Sequence, residues 1–418
     1  MSASPQLPLL VVGAGIAGVT AAIEAAEAGR EVVLVEKEPA IGGRVLRMHH
    51  YFPKLCPPSC GMEINTRRLE RNPRVRVCPD TRVVKATRQN GEWTVTLAHA
   101  PAFVSERCTF CGECSKVCPA KIKDPYNLGA TETTAIRPFH ANAWPRRFSL
   151  ERSACPPGCH ACADACTYNA IDLNAKAGEE QIEVGAVVVA TGWTPYPLEK
   201  LPELGGGILP DVIANVAMER LAAATGPTGG KIVRPSDGQP PKRVAFVQCA
   251  GSRDVNHLPY CSAVCCLASL KQAMYVHEQL PETEVTIYYI DRRAPGRNED
   301  VLTRVAGLSG IKLVKGKVGT VAADGGNGLL LKVEDVATGK LLAARADLVV
   351  LATGIVPSAA GAALPFDLKR DEDGFGFDDL DRALTVAGVA RRPEDVAASV
   401  RDATGAAAKA CVAAGRRG

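Results

Sequence analysis

The sequence lacks the features that would place the chain in several broad classes. It contains no run of about 18 or more apolar residues, so we expect no membrane-spanning helix. Its formal net charge is only +4 over 418 residues, which gives no basis for a surface that binds nucleic acid or an anionic membrane. No residue pattern typical of a catalytic nucleophile with its general base stands out, so bond-making chemistry is disfavoured.

Cysteine, in contrast, is abundant. The chain contains 16 cysteines, most of them clustered. Its length of 418 residues predicts roughly two or three domains of about 150 residues each. In an α/β protein of this size, clustered cysteines indicate metal or redox work rather than a disulfide framework. Cys78 and Cys411 lie outside the clusters, and we expect them to be packed thiols, because free cysteine behaves as a small hydrophobic side chain.

The N-terminal region carries the pattern of a dinucleotide-binding βαβ unit. An apolar strand, 7–12, is followed by GAGIAG, a helix of small residues and a second strand that ends at Glu36. The glycines of the turn are Gly13, Gly15 and Gly18. We expect them to make the turn, admit a pyrophosphate and let helix and strand pack, with the helix N-terminus facing the phosphates. Glu36 has the spacing to accept a hydrogen bond from a ribose hydroxyl, and Lys37 beside it completes the candidate set.

A Gly-Gly-Arg triplet follows this acid, formed by Gly42, Gly43 and Arg44. Flavoproteins with two dinucleotide-binding domains use such a glycine pair to pass the chain close to the FAD pyrophosphate. We therefore expect FAD rather than NAD at this first site. Arg44 is either a residue that neutralises phosphate or an ordinary surface arginine.

Three later segments are expected to return to the FAD. The strands 182–190 and 346–351 both run into Ala-Thr-Gly turns. The candidate FAD residues of these turns are Thr191, Gly192, Thr353 and Gly354. A short strand, 384–388, ends at Gly388, and Asp395 lies in the first turn of a final helix, about 394–414. The N-terminus of this helix either faces the flavin ring, where it would stabilise negative charge, or simply packs on the first domain.

The segment 100–180 holds eight cysteines in two sets. The first set, closed by Pro119, has the spacing of the bacterial ferredoxin run, in which the fourth cysteine ligates the other cluster. The second set departs from it by one residue, and Thr167 replaces the proline. Zinc is the alternative, but the spacing and the proline favour iron–sulfur. With crossed pairing, one [4Fe–4S] cluster would use Cys108, Cys111, Cys114 and Cys166, and the other Cys155, Cys159, Cys162 and Cys118. The linker between the sets, 121–150, suggests no chemistry.

The stretch 244–271 lacks the second glycine-rich nucleotide turn. The apolar run 244–247 predicts a buried parallel strand, but Cys249 occupies the turn that follows it. Cys261, Cys265 and Cys266 come a short loop later. We interpret this stretch as a pyridine-nucleotide site given over to an iron–sulfur cluster, because thiolates are the ligands that such clusters take. An NAD(P)H-dependent dehydrogenase is disfavoured, because it needs an intact second turn.

Cys56 and Cys60 lie in a proline-rich loop with the sequence YFPKLCPPSC. Three roles are open for them: a redox dithiol near the flavin, additional cluster ligands, or a structural pair of thiols. Three intervening residues match neither the usual dithiol motif nor a complete metal site.

Together these segments predict an α/β flavoprotein with two dinucleotide-binding domains and an inserted ferredoxin-like domain with two [4Fe–4S] clusters. The expected FAD-binding domain comprises 1–99, 181–195 and 341–418. The insert comprises 100–180, and the second, nucleotide-like domain with the cysteine cluster comprises 196–340.

The runs QCAGSRD, at 248–254, and YCSAVCC, at 260–266, resemble the A subunits of heterodisulfide reductases. This resemblance implies a thioredoxin-reductase-like core in which the four cysteines bind a [4Fe–4S] cluster beside FAD. It also implies that Lys271 reaches the flavin N5 region, where a cation would favour the reduced anionic ring. The alternative is that Lys271 is a surface residue of the helix that begins near Cys265.

Within that family, YFPKLCPPSCGMEI, RPSDGQ, LATGIVP and RPEDVAASVRDA resemble the quinone-interacting membrane-bound oxidoreductases of sulfur-metabolising bacteria. The resemblance implies a cytoplasmic protein, peripheral at the inner face of the membrane, with two partners: a membrane-bound quinone-reactive subunit, and a second subunit with flavin and iron–sulfur centres. It would pass electrons between the membrane-bound partner and a soluble sulfur-metabolism enzyme, adenylylsulfate reductase. The alternatives are a disulfide reductase subunit that uses Cys56 and Cys60, and a non-catalytic scaffold that holds the flavin.

Overall fold

The computed structural model describes residues 6–326, 328–361 and 364–415, and all statements below concern these residues. The strands are β1 (Leu9–Val12), β2 (Val32–Val35), β3 (Val75–Cys78), β4 (Thr81–Gln89), β5 (Glu92–His99), β6 (Lys121–Lys123), β7 (Glu132–Thr134), β8 (Ile136–Pro138), β9 (Phe148–Leu150), β10 (Gly178–Val184), β11 (Ala186–Val189), β12 (Trp193–Pro195), β13 (Val212–Ala214), β14 (Arg243–Ala250), β15 (Glu284–Tyr289), β16 (Ile311–Ala323), β17 (Leu329–Asp335), β18 (Lys340–Ala346), β19 (Leu348–Thr353), β20 (Ile355–Pro357) and β21 (Leu384–Val386). The helices are α1 (Ile16–Glu27), α2 (Pro58–Arg71), α3 (Glu113–Lys116), α4 (Ala161–Asp164), α5 (Asn215–Ala222), α6 (Cys265–Gln279), α7 (Glu299–Ala306) and α8 (Val396–Gly415).

The first domain is built on a five-stranded sheet with the order β21-β11-β1-β2-β3, and its paired strands are parallel. Strands β1, β2 and β11 are short apolar runs buried on both faces, as expected where helices cover a parallel sheet. Small residues on α1 and α8, including Ala21 and Ala407, share one core and let the two helices approach closely. The predicted C-terminal helix is confirmed as α8.

One predicted strand of this domain proves to be two. The segment 182–190 divides at Gly185, because β10 pairs antiparallel with β5 while β11 pairs with β1 in the parallel sheet. Strand β10 alternates exposed and buried residues, as a half-buried strand does, whereas β11 is buried throughout. The apolar end of β10 runs directly into β11, so the sequence shows no sign that the chain passes from one sheet to the other here.

The second domain is built on a seven-stranded sheet with the order β13-β19-β14-β15-β16-β17-β18. The predicted strand 346–351 is β19, which lies between β13 and β14 in this sheet and not in the first domain. The predicted boundary at 340 therefore falls before the last two strands of the second domain. The segment from Gly319, although it contains glycine, continues β16 to Ala323, where the strand pairs antiparallel with β17.

The insert is small and contains two short helices and two two-stranded ribbons, β6–β7 and β8–β9. Its core consists of Val104, Ile136 and Phe148 together with the thiols of Cys114 and Cys162. So few apolar residues form a marginal core, and the cysteines at its centre are where bound metal would stabilise the fold. Over the described ranges, no helix has both the length and the apolar character that crossing a bilayer requires.

Candidate functional site

The first glycine turn has the geometry that a dinucleotide-binding loop needs. Gly13 adopts φ of +100°, and a Cβ there would lie 2.5 Å from the backbone oxygen of Ala190. A Cβ at Gly18 would lie 1.7 Å from the oxygen of Gly13, so this position admits only glycine. Gly15 differs, because the nearest atom to its Cβ would be the Cα of Gly43 at 4.0 Å. A Cβ on Gly43 would lie 2.9 Å from the Cα of Gly15, so the two glycine backbones touch and only residues without side chains allow this close approach.

Glu36 closes the base of this turn. Its side chain is buried, and it accepts hydrogen bonds from the backbone N–H groups of Ala14 at 2.7 Å and Glu38 at 3.0 Å. Burial raises the pKa of Glu36, and these two hydrogen bonds oppose the rise. Lys37 beside it is exposed. The acid is therefore held rigidly at the end of β2, where a ribose hydroxyl would meet it.

Arg44 is not an ordinary surface arginine. Its Nε donates to the backbone oxygen of Trp193, and its guanidinium lies over the Trp193 ring at 5.0 Å. Burial lowers the pKa of Arg44 to about 10. The contact fixes Arg44 beside the Thr191–Gly192 turn, where the buried hydroxyl of Thr191 has no hydrogen-bond partner. An orphaned hydroxyl in such a place fits a bound polar group.

The segment before α8 carries a buried carboxylate. Gly388 packs against α1, so that a Cβ there would lie 2.8 Å from the Cβ of Ala17. Asp395 caps α8, because its carboxylate accepts from the N–H of Ala398 at 2.7 Å. Nothing in the sequence indicated a role for Glu394, yet its side chain is buried and its Oε2 lies 3.2 Å from the Nε of Arg392. Burial raises the pKa of Glu394, and the nearby Asp402 adds to this rise.

Thr353 and Gly354 lie away from this cradle, at the end of β19 in the second sheet. The Thr353 hydroxyl donates to the Asn215 side chain at 3.4 Å, and a Cβ on Gly354 would lie 2.5 Å from the Ser252 hydroxyl. The Cys265 thiol lies 3.9 Å from the Thr353 oxygen. These two residues therefore support the cysteine turn, and their predicted contact with FAD stays a prediction.

A cavity in the insert is lined by four cysteines from both sets. Val104, Phe148 and Tyr168 also line it. Its cysteines are Cys108, Cys111, Cys114 and Cys166. This is the set that crossed pairing predicts for one cluster, with the fourth ligand contributed by the second run.

The charge interactions among the insert thiols indicate which of them are neighbours. Burial raises the pKa of Cys114 to about 12, and its neighbours Cys108, Cys111 and Cys162 add to the rise. Burial also raises the pKa of Cys162, with contributions from Cys155 and Cys118. Cys118 of the first run thus lies beside the second set, as the crossed arrangement requires.

In the second domain, Cys249, Cys261, Cys265 and Cys266 form one group. Cys249 ends the main run of β14 at a bulge and adopts φ of +57°, which is unusual for a residue other than glycine. Cys265 and Cys266 open α6, and the Cys266 thiol donates to the backbone oxygen of Asp291 at 3.3 Å. Burial raises the pKa of Cys265, and the charges of the other three thiols raise it further.

Arg253 lies against this group. Burial and Cys266 raise the pKa of Cys249, whereas Arg253 lowers it through its charge and a hydrogen bond. Arg253 is also paired with Asp291 at 2.8 Å. The sequence did not single out Arg253. Buried thiols that resist ionisation in the free protein lose their protons when they coordinate metal, so the group is suited to that role.

A single metal ion is not what these groups fit. No three Cys, His, Asp or Glu side chains in the described parts of the chain are placed to hold one ion. A cubane cluster takes one thiolate at each of its irons and so separates its ligands more widely than one ion does. None of the cysteines is in a disulfide within the described ranges.

Lys271 is buried, so the alternative of a surface lysine is wrong. It is 4% exposed, and its Nζ lies 3.0 Å from Glu219 and donates to the backbone oxygen of His50. Glu219, which the sequence did not reveal, also accepts from Gln272 Nε2 at 2.7 Å and from the His49 N–H at 3.0 Å. A buried ion pair thus joins α5 and α6 of the second domain to the loop that follows the Gly42–Gly43 pair.

Cys56 and Cys60 lie farther along the same loop. The Tyr51 N–H donates to the Cys56 oxygen at 3.1 Å, and Cys60 lies exposed in the first turn of α2. Burial raises the pKa of Tyr51, and both thiols add to the rise, so they converge near its hydroxyl. Both thiols therefore lie near the Tyr51 hydroxyl, and their predicted roles stay predictions.

Comparisons with known protein families identify the cofactor domains. A family model described as FAD dependent oxidoreductase matches residues 8–50, and a 4Fe-4S binding domain model matches residues 101–123. These matches confirm the predicted FAD and the predicted iron–sulfur insert. The second match contains the first cysteine set and ends before the second. The individual ligand sets stay predictions.

Solved structures of low identity show the fold. Thioredoxin reductase from T. acidophilum superposes with a TM-score of 0.52 at 15% identity, covering 97% of this chain and 98% of that one. Bacillithiol disulfide reductase from Bacillus cereus gives 0.53 at 14% identity, covering 99% and 100%. The predicted thioredoxin-reductase-like fold is confirmed.

Curated relatives match almost the whole chain. The A subunit of the H(2):CoB-CoM heterodisulfide,ferredoxin reductase of Methanothermobacter marburgensis is 35% identical over 96% of this chain and 63% of its own length. The A subunit of the ferredoxin/F(420)H(2)-dependent CoB-CoM heterodisulfide reductase of Methanosarcina acetivorans is 35% identical over 96% of this chain and 52% of its own length. The chain thus spans between half and two thirds of the relatives it matches.

Proposed function

We propose, from the relationship of this chain to the A subunits of heterodisulfide reductases, that it is an FAD and iron–sulfur electron-transfer subunit of that type. The carrying observation is the group of four cysteines at the end of β14 and the start of α6. They occupy the turn where the fold would otherwise bind a nicotinamide nucleotide. A one-electron centre in place of a hydride donor suits a protein that distributes electrons.

The cofactors supply the redox chemistry: bound FAD can exchange two electrons with one partner and single electrons with clusters. The chain supplies binding and charge. The glycine turn at Gly13–Gly18, Glu36 and Arg44 are suited to hold the FAD, and Lys271 places a buried cation at the junction of the domains. The four-cysteine groups are suited to hold clusters, and the insert cavity opens toward solvent, where a partner protein would exchange electrons.

Anaerobic reduction of the purified protein tests this role. We expect the one-electron donor reduced benzyl viologen to bleach both the flavin and the cluster absorbance, and NADPH to leave both unchanged. Cys249→Ser should keep FAD bound but lose one cluster, while Cys78→Ser, at a packed thiol outside the groups, serves as the matched control. Brisk oxidation of NADPH by the purified chain would contradict the proposal.

The partners of the chain follow from the same relationship. The relatives are named as components of heterodisulfide reductases, so we expect further subunits to accompany this chain. Affinity purification of the tagged chain from its own cells, without oxygen, should retrieve them. Retrieval of a disulfide-reducing partner supports the heterodisulfide reductase role, and retrieval of the chain alone in its reduced, fully loaded form contradicts it.

A second candidate gives the chain a quinone-linked role between a membrane partner and adenylylsulfate reductase. It is supported by the motifs YFPKLCPPSCGMEI and RPSDGQ, whereas the comparisons favour the heterodisulfide reductase type. Reduction of the co-purified complex by a menaquinol analogue, with electrons passed on to adenylylsulfate, would support this candidate. Reduction of a disulfide by the same complex, lost in Cys56→Ser and Cys60→Ser variants, would instead favour the dithiol alternative.

A further inference from the structure

The insert linker, which suggested no chemistry in the sequence, meets both nucleotide-type domains at one aromatic side chain. Tyr126 is buried, and its hydroxyl donates to the backbone oxygen of Leu46 in the first domain at 2.6 Å. The guanidinium groups of Arg47 and of Arg220, which belongs to the second domain, lie over its ring at 5.1 and 4.9 Å from the centroid. His140, later in the linker, stacks on the ring at 5.0 Å. We call Tyr126, Arg47, Arg220 and His140 the Tyr126 joint.

Arg220 is the second-domain member of this joint, and it is only 2% exposed. Its Nε donates to the Asn127 side chain at 2.9 Å, and its Nη1 donates to the Arg47 backbone oxygen at 3.2 Å. Its Nη2 donates to the Thr225 oxygen at 2.8 Å. A buried guanidinium with its donors directed at three different segments fixes their relative positions, because a misplaced partner would leave a buried charge unsatisfied.

The covalent connection between the domains would not fix them by itself. The chain crosses between the domains at β12 and β20, which form an isolated two-stranded ribbon. A two-stranded ribbon is a marginal structure and bends easily. The placement of the second domain therefore depends on side-chain contacts such as the Tyr126 joint.

The joint is also continuous with the buried pair of Lys271 and Glu219. Arg220 and Glu219 are neighbours on α5, and the Glu219 carboxylate accepts from the His49 N–H, two residues after Arg47. On the other side, the Ile41 N–H donates to the Trp144 oxygen of the linker at 3.0 Å, directly before the Gly42–Gly43 pair. A continuous series of contacts therefore connects the linker 121–150, the Gly42–Gly43 pair and the buried pair of Lys271 and Glu219.

We propose that Tyr126 and Arg220 are positioning residues that hold the insert and the two nucleotide-type domains as one rigid unit, and so set electron transfer between the FAD site and the insert. The proposal rests on the proposed function for its electron-transfer half. Its structural half, the rigid placement, stands independently of any cofactor. Displacement of Tyr126 would also release Arg220 and thereby disturb Glu219 and Lys271.

A graded set of variants tests the joint. Tyr126→Phe keeps the aromatic ring against the arginines and loses one hydrogen bond, so its effect should be small. Tyr126→Leu and Arg220→Met remove the stacking, and we expect local opening of the joint to become roughly ten- to a hundredfold more frequent. Because both act on one contact, the double variant should be little worse than either alone. Arg67→Met, at an exposed arginine of α2, is the matched control.

Hydrogen exchange measures the structural half on the whole chain, with and without its cofactors. Amides of 121–150 and α5 should exchange faster in Tyr126→Leu and Arg220→Met, while β1 and β14 stay protected. Flash reduction of the flavin by deazaflavin radicals measures the other half, and electron arrival at the insert should slow at least tenfold with cofactor content unchanged. Exchange as in the wild type, or additive effects in the double variant, would overturn the joint. Faster exchange with unchanged electron arrival would overturn the positioning role. A wild-type chain that holds no clusters would refute the proposed function. In that case the hydrogen-exchange result alone would still test the joint.

Discussion

Replacement of Lys271 with methionine would remove the cation that lies 3.0 Å from the buried carboxylate of Glu219. Their side chains are only 6% and 8% exposed, so solvent screens the pair little. Loss of one partner of a buried ion pair costs about 3–5 kcal/mol, because the other charge stays buried without compensation. Gln272 and the His49 N–H still donate to Glu219, so we expect the lower end of that range, about 3 kcal/mol.

The partner variant and the double variant test the same reasoning. Glu219→Gln leaves Lys271 with the His50 oxygen and should cost about 2–3 kcal/mol. The double variant removes both charges and should cost at least ~1 kcal/mol less than the sum of the single variants. Urea unfolding of the whole chain at pH 7, followed by hydrogen exchange of α5 and α6, gives the free-energy differences.

An exposed pair in the same domain supplies the control. The ammonium group of Lys317 lies 3.5 Å from Asp254, but its side chain is 65% exposed, so Lys317→Met should cost no more than about 1 kcal/mol. Equal costs for Lys317→Met and Lys271→Met, or strict additivity in the double variant, would refute the reasoning that Lys271 and Glu219 act as a buried pair.

Four further predictions follow from the site. Gly15→Ala should fold, because its Cβ would meet no atom closer than 4.0 Å, but it should bind FAD at least about tenfold more weakly, because the methyl group would stand where the phosphates are expected to approach the turn. Gly18→Ala should fail to fold; flavin retention and circular dichroism report both. Cys261→Ala should remove one cluster signal from electron paramagnetic resonance while FAD stays bound, and an unchanged spectrum would rule out Cys261 as a ligand. Lys271→Met should lower the flavin midpoint potential, measured by spectroelectrochemistry, because the reduced anionic ring loses a nearby cation; an unchanged potential would show that Lys271 does not act on the flavin. Burial lowers the pKa of His140 to about 4 from 6.5, so the contribution of the neutral ring to stability is complete above pH 6.5 and is lost as the pH falls toward 4. His140→Phe should therefore reduce the rise in hydrogen exchange of 121–150 that acid causes. Identical pH profiles for the variant and the wild type would disprove the effect.

The parts of this fold that follow a local pattern could be predicted from the sequence. The GAGIAG turn, the alanine-rich α8 and the helix that begins at Cys265 all depend on residues close together in the chain. The approach of Cys166 to the first cysteine set could also be predicted, because in the ferredoxin run the fourth cysteine serves the other cluster; the ligand sets themselves stay predictions.

The parts that depend on tertiary pairing could not be predicted. Strand β19 and the strands of the first domain are equally apolar, so the sequence of 346–351 does not indicate which sheet it joins. Glu219 and Tyr126 look like ordinary helix and linker residues, and their roles arise only because Lys271 and Arg220 are brought against them. Buried polar partners far apart in the chain leave no periodic signal.

The content of iron, acid-labile sulfide and flavin per chain in anaerobically purified protein tests the central claim most directly. The account predicts one FAD together with ~12 iron atoms and ~12 sulfides, which three [4Fe–4S] clusters require. A protein that carries flavin but no iron would contradict the claim that thiolate-bound clusters occupy the insert and the place of the second nucleotide.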